Sequence, residues 1–314
     1  MRKIMNPFIK IPMFLMLLGL VFVQCNKSDT VVVADNLDVT LNASPDLTIF
    51  QAAIKQAKLE TFTKGPGPFT LFAPTDAAFT AAGITLASLP SIDSLTLTAL
   101  VLNHFQNIKR TSYEIPEGPN APMTSIANFN NFGYKDKLAN KIYVNGATIT
   151  TKDVTCRNGI IHKIDKLLTI PNTTTLALLT ANSNYSLMVQ AITKASLTAT
   201  FSPSASAPAT IFALDNATMT AAGYDAVTIA ALTGVGLTTL TNLLKYHVVA
   251  SRNFSVAFKA GNLKTVQGTN VTIGLSGAGV SVKGTNNASA FLLSNTDVFA
   301  SNGVIHKVAG VLLP

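Results

Sequence analysis

The chain has 314 residues, of which 48% are hydrophobic and 12% charged, and its formal net charge is +8. This length is enough for two domains of ordinary size, each with its own hydrophobic core. The basic residues are scattered, without clusters or interleaved aromatic residues, so the composition argues against nucleic acid as a partner.

The N-terminus has the pattern of a secretory signal peptide over residues 1–24. Basic residues come first, and an apolar run over residues 11–23 follows them. Such a run is short for a transmembrane helix and typical of a signal-peptide core. Cys25 comes directly after it, where the lipobox of bacterial lipoproteins has its acylated cysteine. This resemblance predicts a lipoprotein of the cell envelope, in the outer membrane and exposed at the surface or in the periplasm. The alternative is an ordinary secretory signal with an incidental cysteine.

Residues 25–40 are predicted to be a tether between this anchor and the first domain. Their start, residues 26–29, is polar. Cys156 is the only other cysteine, so acylation of Cys25 leaves no partner for a disulfide. We expect Cys156 to be a small buried residue of a strand, and we expect both domains to depend on their cores for stability.

The first domain, residues 41–171, is predicted to open with an amphipathic helix. Ser44 or Asp46 can cap its N-terminus. Apolar residues then recur at helical spacing, namely at Ile49, Phe50, Ala53, Ile54 and Ala57. The second domain, residues 179–314, repeats this stripe 138 residues later. One face of each opening helix should therefore lie against a hydrophobic core.

A strand, a turn and another helix follow. Residues 69–73 read as a strand, and Pro74 ends its pairing because proline has no N–H to donate. Thr75 or Asp76 can then cap the helix that follows. In the second domain Leu214 stands at the proline position, while Asp215 keeps the capping chemistry.

The later part of each domain is predicted to be rich in strands. Before it comes a third helix, over residues 95–105 in the first domain and 237–248 in the second. An Asn-Gly pair at 145–146 predicts a tight hairpin, since both residues tolerate positive φ angles. Final strands are predicted over 160–168 and 304–313. Because helices come early and strands late, the fold class is α+β rather than a wound parallel sheet.

The four histidines indicate that the domains are copies of one unit. His104 and His162 are 58 residues apart, and His247 and His306 are 59 apart. The segment over residues 158–164 returns, with conservative changes, as residues 302–308. A repeat this long exceeds solenoid periods of roughly 20–50 residues and has the size of a whole domain.

These sequences resemble the fasciclin domain family. Residues 70–79 resemble its first signature and residues 158–165 its second. Between the two signatures the family has a Tyr-His pair, present as Tyr246-His247 and altered to Asn103-His104 in the first domain. The resemblance covers nearly all of the chain after the tether. It implies two tandem fasciclin-like domains, each a wedge of two β-sheets flanked by helices. It also implies extracellular adhesion or surface binding, usually without catalysis.

We interpret the histidines as structural residues. His104 and His247 end apolar helices, where an imidazole can bond free carbonyls and meets the negative end of the helix dipole. His162 and His306 follow apolar residues in strands and are expected to bridge helix and sheet through buried hydrogen bonds. The spacing of these residues is not that of a metal site, so we predict no bound metal.

No catalytic motif is found in the sequence. It has no nucleophile elbow, phosphate loop or dinucleotide fingerprint. Glycoside hydrolysis needs paired carboxylates, and the second domain has only Asp215, Asp225 and Asp297. Asp215 is assigned to capping, and Asp297 is expected to bond the backbone of a turn. We therefore predict that the protein is not an enzyme and needs no cofactor.

Three tyrosines are the possible ligand contacts. Tyr113, Tyr134 and Tyr143 lie in or next to the loop-rich region 107–141, which has no tyrosine-rich counterpart in the second domain. Alternatively, these rings merely cover strands. The predicted function is adhesion or binding at the cell surface, with a surface or matrix protein or a glycan as partner and the membrane reached through the lipid anchor. The alternative is a glycan-binding lipoprotein of a polysaccharide-uptake system.

Overall fold

The computed structural model describes residues 34–314. The predicted signal peptide, the predicted lipidation site at Cys25 and residues 25–33 of the predicted tether lie outside the described residues. In the part that the structure describes, no helix is both long enough and apolar enough to cross a membrane.

The first domain begins with helices and ends with strands, as its sequence predicts. Its helices are α1 (Leu37–Asn42), α2 (Thr48–Gln56), α3 (Glu60–Thr63), α4 (Asp76–Ala81) and α5 (Ser94–Asn103). Its strands are β1 (Phe69–Pro74), β2 (Phe105–Gln106), β3 (Ala121–Thr124), β4 (Asn130–Asp136), β5 (Lys141–Val144), β6 (Ala147–Cys156) and β7 (Gly159–Ile164).

The second domain repeats this architecture. Its helices are α6 (Thr175–Ala181), α7 (Ser186–Lys194), α8 (Thr198–Phe201), α9 (Asn216–Ala221), α10 (Ala226–Ala231) and α11 (Gly234–Tyr246). Its strands are β8 (Ala209–Ala213), β9 (Val248–Val249), β10 (Gly261–Lys264), β11 (Asn270–Ser276), β12 (Gly279–Lys283), β13 (Phe291–Ala300) and β14 (Gly303–Val308).

In each domain, seven strands are hydrogen-bonded to one another in a continuous series. In the first domain it runs β2-β1-β7-β6-β5-β4-β3, and in the second β10-β11-β12-β13-β14-β8-β9. Among these fourteen strands of residues 34–314, only β1 with β7 and β8 with β14 pair in parallel. The α+β class is thus confirmed. The two sheets of the expected wedge share one long strand, since β6 pairs with β5 near its start and with β7 further on.

The long strands β6 and β13 are irregular at matching positions. Their register against β7 and β14 shifts close to Asp153 and Asp297. Both aspartates have positive φ angles, 63° and 65°. A bulge of this kind bends a strand and re-aims its side chains. It places both aspartates at equivalent positions in the two domains.

The predicted apolar stripes lie in the cores. In α2, Ile49, Phe50, Ala53 and Ile54 are buried, and in α7 the same holds for Met188, Ala191 and Ile192. The Asn-Gly hairpin is also confirmed, because β5 and β6 pair antiparallel around residues 145–146, which have φ angles of 49° and 79°. Cys156 is buried at the end of β6, as expected.

Short helices cross both predicted domain starts and pack into the cores. Residues 37–40 of the predicted tether belong to α1, whose Leu37 and Leu41 are buried in the core of the first domain. The boundary at residue 179 falls inside α6, whose Leu179 is buried in the second core. Both helices are too short to show a clear hydrophobic period in the sequence, and their stability depends on tertiary contacts.

Four element ends also differ from the prediction. The third helices stop at Asn103 and Tyr246, because the backbone turns at the following histidines into the short strands β2 and β9. The final strands stop at Ile164 and Val308, four and five residues before their predicted ends. The chain beyond them runs to the helix-end histidines instead of continuing the sheet.

Candidate functional site

The helix-end histidines tie each third helix to the chain beyond the last strand. The Nδ1–H of His104 donates to the Leu100 carbonyl at 2.8 Å, and its Nε2 accepts from the Leu168 backbone N–H at 3.0 Å. His247 makes the same pair of bonds with Leu243 and Leu312, at 2.9 and 3.0 Å. Since one ring nitrogen accepts and the other donates, each ring fits its site only as the neutral tautomer.

Burial lowers the pKa of His104 and of His247 to about 4, although the helix carbonyl opposes this shift. The prediction that these rings bond helix carbonyls is confirmed. The suggested benefit from the helix dipole is wrong, because it needs an imidazolium and both rings are neutral near pH 7. Their role is to join two backbone segments.

The strand histidines join three backbone segments around the bulge. The Nδ1 of His162 accepts from the Asp153 N–H at 3.2 Å, and its Nε2–H donates to the Arg110 carbonyl at 2.9 Å. His306 has the same partners in Asp297 and Asn253, at 3.2 and 2.8 Å. The predicted bridge between helix and sheet is wrong. Both rings instead connect the last strand to the bulge and to the loop after the short strand.

A serine that no sequence motif marks completes this arrangement in each domain. Ser112 donates its N–H and its hydroxyl to the Asp153 carboxylate. Ser255 does the same with Asp297, through its N–H at 2.5 Å and its hydroxyl at 2.5 Å. In a catalytic triad, the serine hydroxyl must be hydrogen-bonded to the histidine that activates it. Here each serine hydroxyl is hydrogen-bonded to the aspartate carboxylate, and each imidazole is bonded only to backbone groups.

Asparagines 158 and 302 anchor the first helix of each domain. Asn158 accepts from the Leu37 N–H at 2.8 Å and donates to the Thr63 and Gly65 carbonyls. Asn302 accepts from the Thr175 N–H at 2.8 Å. The second signature of each domain therefore holds a helix that crosses the predicted domain start.

The two predicted capping aspartates have different tasks. Thr75 caps α4, whereas Asp76 accepts from the Thr48 hydroxyl and the Ile49 N–H at the start of α2, at 2.7 and 2.8 Å. Asp215 does cap α9, through the Thr218 N–H at 2.9 Å, and also pairs with Lys307 at 2.6 Å. Burial alone would raise the pKa of Asp215, but the bonds from Lys307 and Thr218 outweigh it and lower the pKa to about 2.

Tyr246 is fully buried and does not form an exposed surface with His247. Its hydroxyl donates to the Asn270 carbonyl at 2.5 Å and accepts from the Thr285 N–H at 3.0 Å. In the first domain Asn103 stands at this position. Its carbonyl accepts from the Asn131 side chain at 2.9 Å, and that side chain accepts from Asn145 at 2.7 Å.

The three loop tyrosines do not form one platform. Tyr134 and Tyr143 stack on each other with centroids 5.9 Å apart, and Tyr143 is 8% exposed. Tyr113 is 87% exposed and has the Lys135 ammonium 5.1 Å from its ring centre. Neighbouring residues of a strand point to opposite faces, so Tyr113 next to Lys135 is separated from Tyr134. A ligand contact of any of them stays a prediction.

The two domains touch through a buried arginine of the second domain. Arg252 is 5% exposed, and its guanidinium carbon lies 4.1 Å from the ring centre of Phe132 and 5.7 Å from that of Phe299. These two rings meet edge to face, 5.9 Å apart. Among residues 34–314 no carboxylate pairs with Arg252. Burial lowers its pKa to about 10, so it stays charged at neutral pH.

Two polar contacts and one close approach of a glycine also join the two domains. Asn120 donates its amide to the Arg252 carbonyl at 2.6 Å, and Lys166 pairs with Asp297 at 3.0 Å. Gly146 lies so close to Asp297 that a Cβ there would come within 2.8 Å of the carboxylate. The two domains are therefore in direct contact through specific side chains.

The described residues do not meet the requirements of a metal site or of a cysteine nucleophile. In the described part of the chain, no three His, Cys, Asp or Glu side chains lie together in a way that fits a metal ion. Cys156 is buried, and burial raises the pKa of its thiol, which keeps it protonated. The polar residues that both domains share instead hold backbone segments together through hydrogen bonds.

Comparisons with known proteins point to one family. The model of the fasciclin domain family matches residues 45–171 and again residues 183–314. The chain is 26% identical to transforming growth factor-beta-induced protein ig-h3 of Sus scrofa over 281 residues, which is 89% of this chain and 39% of that protein. It is 25% identical to periostin of Homo sapiens over 265 residues, or 82% of this chain and 30% of that one.

A bacterial relative matches over one domain. Protein sll1483 of Synechocystis sp. is 35% identical over 122 residues, which is 38% of this chain and 65% of that protein. Among solved structures, a FAS1 domain pair from the insect cell adhesion molecule fasciclin I has 17% identity and a TM-score of 0.42, with 86% of this chain and 97% of that chain covered. The chain thus spans about two fifths of the mammalian ig-h3 relatives.

Proposed function

Because this chain belongs to the fasciclin domain family, with two tandem domains, we propose that it is a non-catalytic adhesion or binding protein of the cell envelope. Its partner is a cell-surface or matrix protein or a glycan. The lipid on Cys25 anchors it in the outer membrane, and the two domains bind the partner outside the bilayer.

One observation carries the non-catalytic part of the proposal. Every ring nitrogen of the four histidines is bonded to a backbone group, and the pattern is the same in both domains. A general base needs a free nitrogen within reach of a substrate. Polar groups that are duplicated and fully engaged by backbone support a structural role, so function falls to the exposed surfaces.

Binding to cells tests the proposal directly. The purified protein is labelled and applied to cells of the source organism and to a panel of matrix proteins and glycans. The proposal expects saturable binding to at least one of them, competed by unlabelled protein. If no member of the panel retains the protein, while a hydrolase or transferase screen finds turnover, the proposal is wrong.

The anchor is tested separately with two cysteine variants. Cys25→Ser removes the only predicted acylation site and should move the protein from the membrane fraction to the soluble fraction. Cys156→Ser is the matched control, because this thiol is buried in the first domain and should leave the fractionation unchanged. A membrane-bound Cys25→Ser protein would contradict the lipoprotein assignment.

Glycan capture for polysaccharide uptake is the second candidate, favoured by one observation. The ring of Tyr113 is 87% exposed and lies beside the Lys135 ammonium, a combination that can hold a sugar ring. Tyr113→Ala should then abolish retention on a glycan gel. Tyr143→Ala is not an equivalent test, because Tyr143 is 8% exposed and its loss disturbs packing.

A further inference from the structure

The outer face of strands β10, β11 and β12 in the second domain is polar and basic, and four of its six side chains are exposed. We call it the open sheet face, and its side chains are Asn262, Lys264, Asn270, Thr272, Ser281 and Lys283. Strand pairing places Lys264 beside Asn270, and Thr272 between Asn262 and Lys283. The alternate residues Val271, Ile273 and Val282 are buried. The alternation assigns the polar set to one side of the sheet.

A shallow depression lies on this face. Its volume is about 510 Å³, and Asn262, Asn270, Thr272, Lys283, Gly284 and Thr285 line it. Tyr246 lies beneath it and fixes its floor, since one hydroxyl bonds the backbone of both Asn270 and Thr285. Asn103 takes the place of this tyrosine in the first domain, so this support is specific to the second.

The matching face of the first domain is used for contact with the second. Strand register makes Phe132 the counterpart of Thr272, because Phe132 pairs with Pro122 as Thr272 pairs with Asn262. Phe132 holds Arg252 and Phe299 of the second domain. The same position of the fold is therefore an aromatic docking point in one domain and a polar, exposed site in the other.

The chemistry of the open sheet face selects the class of ligand. Its lysines form no ion pair within residues 34–314, and Asp297 is the only acidic residue between positions 250 and 300. Asp297 is itself buried and paired with Lys166. The ligand should therefore bring negative charge, and amides and hydroxyls between the lysines require a ligand that hydrogen-bonds along its length.

A protein partner fits this face less well than a saccharide. Protein interfaces depend on apolar or aromatic anchors at their centre, and Thr272 stands where the first domain has such an anchor. Resting on the proposed binding function, we propose that the open sheet face binds an acidic polysaccharide. The carboxylates of the polysaccharide meet Lys264 and Lys283, and its hydroxyls bond Asn262, Asn270 and Thr272.

Retention by a charged and a neutral polysaccharide tests this assignment. The full chain is run through native gels containing polygalacturonate or dextran, and its affinity for oligogalacturonides is measured by calorimetry. Polygalacturonate should retard the protein, and dextran should not. Salt should weaken the binding, because exposed charges are screened beyond roughly 10 Å at about 0.1 M salt. No retardation by polygalacturonate at low salt overturns the assignment.

Three variants locate the site. Lys264→Gln with Lys283→Gln should raise the Kd by about tenfold. Lys109→Gln with Lys152→Gln is the matched control, since it removes two charges from exposed positions of the first domain and should leave the Kd unchanged. Thr272→Phe installs the residue of the first domain and should block binding without changing the charge. Equal effects of the two lysine pairs, or unchanged binding by Thr272→Phe, would refute the site.

The outcome separates this inference from the proposed function. If the protein binds cells but not polygalacturonate, the inference fails and adhesion stands. If it binds both, and the lysine pair lowers only the polysaccharide affinity, the site is established without being the route of cell binding. If it binds neither, the proposed function fails with the inference.

Discussion

The two domains share the side-chain hydrogen bonds that hold their backbone segments together. They differ in the buried residues beneath the sheet and in the residues on its outer face. Both have a helix-end histidine, a strand histidine with its Asp-Ser pair, and an anchoring asparagine. In the first domain, Asn103, Asn131 and Asn145 then form a buried amide network. In the second, Tyr246 and the buried Val271 stand there instead. The shared hydrogen bonds preserve the fold, and the buried residues that differ between the domains influence what each sheet face can contact.

The difference separates a covered face from an open one. Phe132 of the first domain is engaged by Arg252, whereas Thr272 of the second is exposed. If the second domain also had an aromatic residue at this position, that residue would have no partner within the chain. It would then be prone to associate with other copies of the protein. The polar open sheet face avoids this exposure and is free for a ligand.

Tyr246→Asn should have the largest effect, because it installs the residue of the first domain without its two partner asparagines. The loss of a fully buried ring and its two hydrogen bonds should destabilise the second domain by about 4 kcal/mol. Urea unfolding followed by hydrogen exchange of peptides from each domain measures this. Tyr246→Phe keeps the ring and should cost about 1 kcal/mol. Equal losses in the two variants would contradict the assigned role of the ring.

Acid should destabilise both domains alike. The pKa of His104 and of His247 is about 4 in the folded chain, against about 6.5 when unfolded. Between these values only the unfolded state binds the proton, so stability is full above pH 6.5 and falls as the pH drops. The loss at pH 5 should be about 2 kcal/mol in each domain. A stability that is flat from pH 7 to pH 5, or that falls in one domain only, contradicts the shared role.

Arg252→Ala should uncouple the domains without unfolding either. The variant removes a desolvated guanidinium from between two aromatic rings, an interaction of about 2 kcal/mol. The two domains should then unfold in separate transitions, and small-angle scattering should report a wider particle. Lys109→Ala is the control, because Lys109 is the exposed counterpart of Arg252 in the first domain. Identical behaviour of the two variants would show that Arg252 does not hold the contact.

Lys166→Ala should have the smallest effect of the four. The lysine is 46% exposed in its pair with Asp297, and Ser255 continues to donate two hydrogen bonds to that carboxylate. The expected loss of coupling is about 0.5 kcal/mol and should vanish in high salt. A loss as large as that of Arg252→Ala would mean that the ion pair, and not the arginine, dominates the contact.

Local patterns predict much of the fold because they report local structure. The apolar stripes at Phe50 and Met188 follow the helical period, and the turn at 145–146 follows from residues that tolerate positive φ. The six-residue α1 is too short to show a period, and the N–H of Leu37 is bonded to Asn158, which lies 121 positions away. Its place in the domain is set by that distant contact.

The polar clusters are harder to predict because their members are far apart in sequence. Ser112 meets Asp153 across 41 positions, and nothing in either segment marks the pair. One signal was present, since an aspartate stands nine positions before the strand histidine in both copies, at Asp153 and Asp297. The contact of Arg252 with Phe132 left no such signal, because neither residue is repeated in the other domain.

Lysine footprinting tests most directly whether the open sheet face of the second domain is the binding surface. Lysines of the free protein and of the protein bound to polygalacturonate are acetylated, and each site is quantified by mass spectrometry. We expect Lys264 and Lys283 to be strongly protected when the protein is bound, with Lys109 and Lys152 unchanged. Protection confined to the first domain, or equal at all four lysines, would contradict the account.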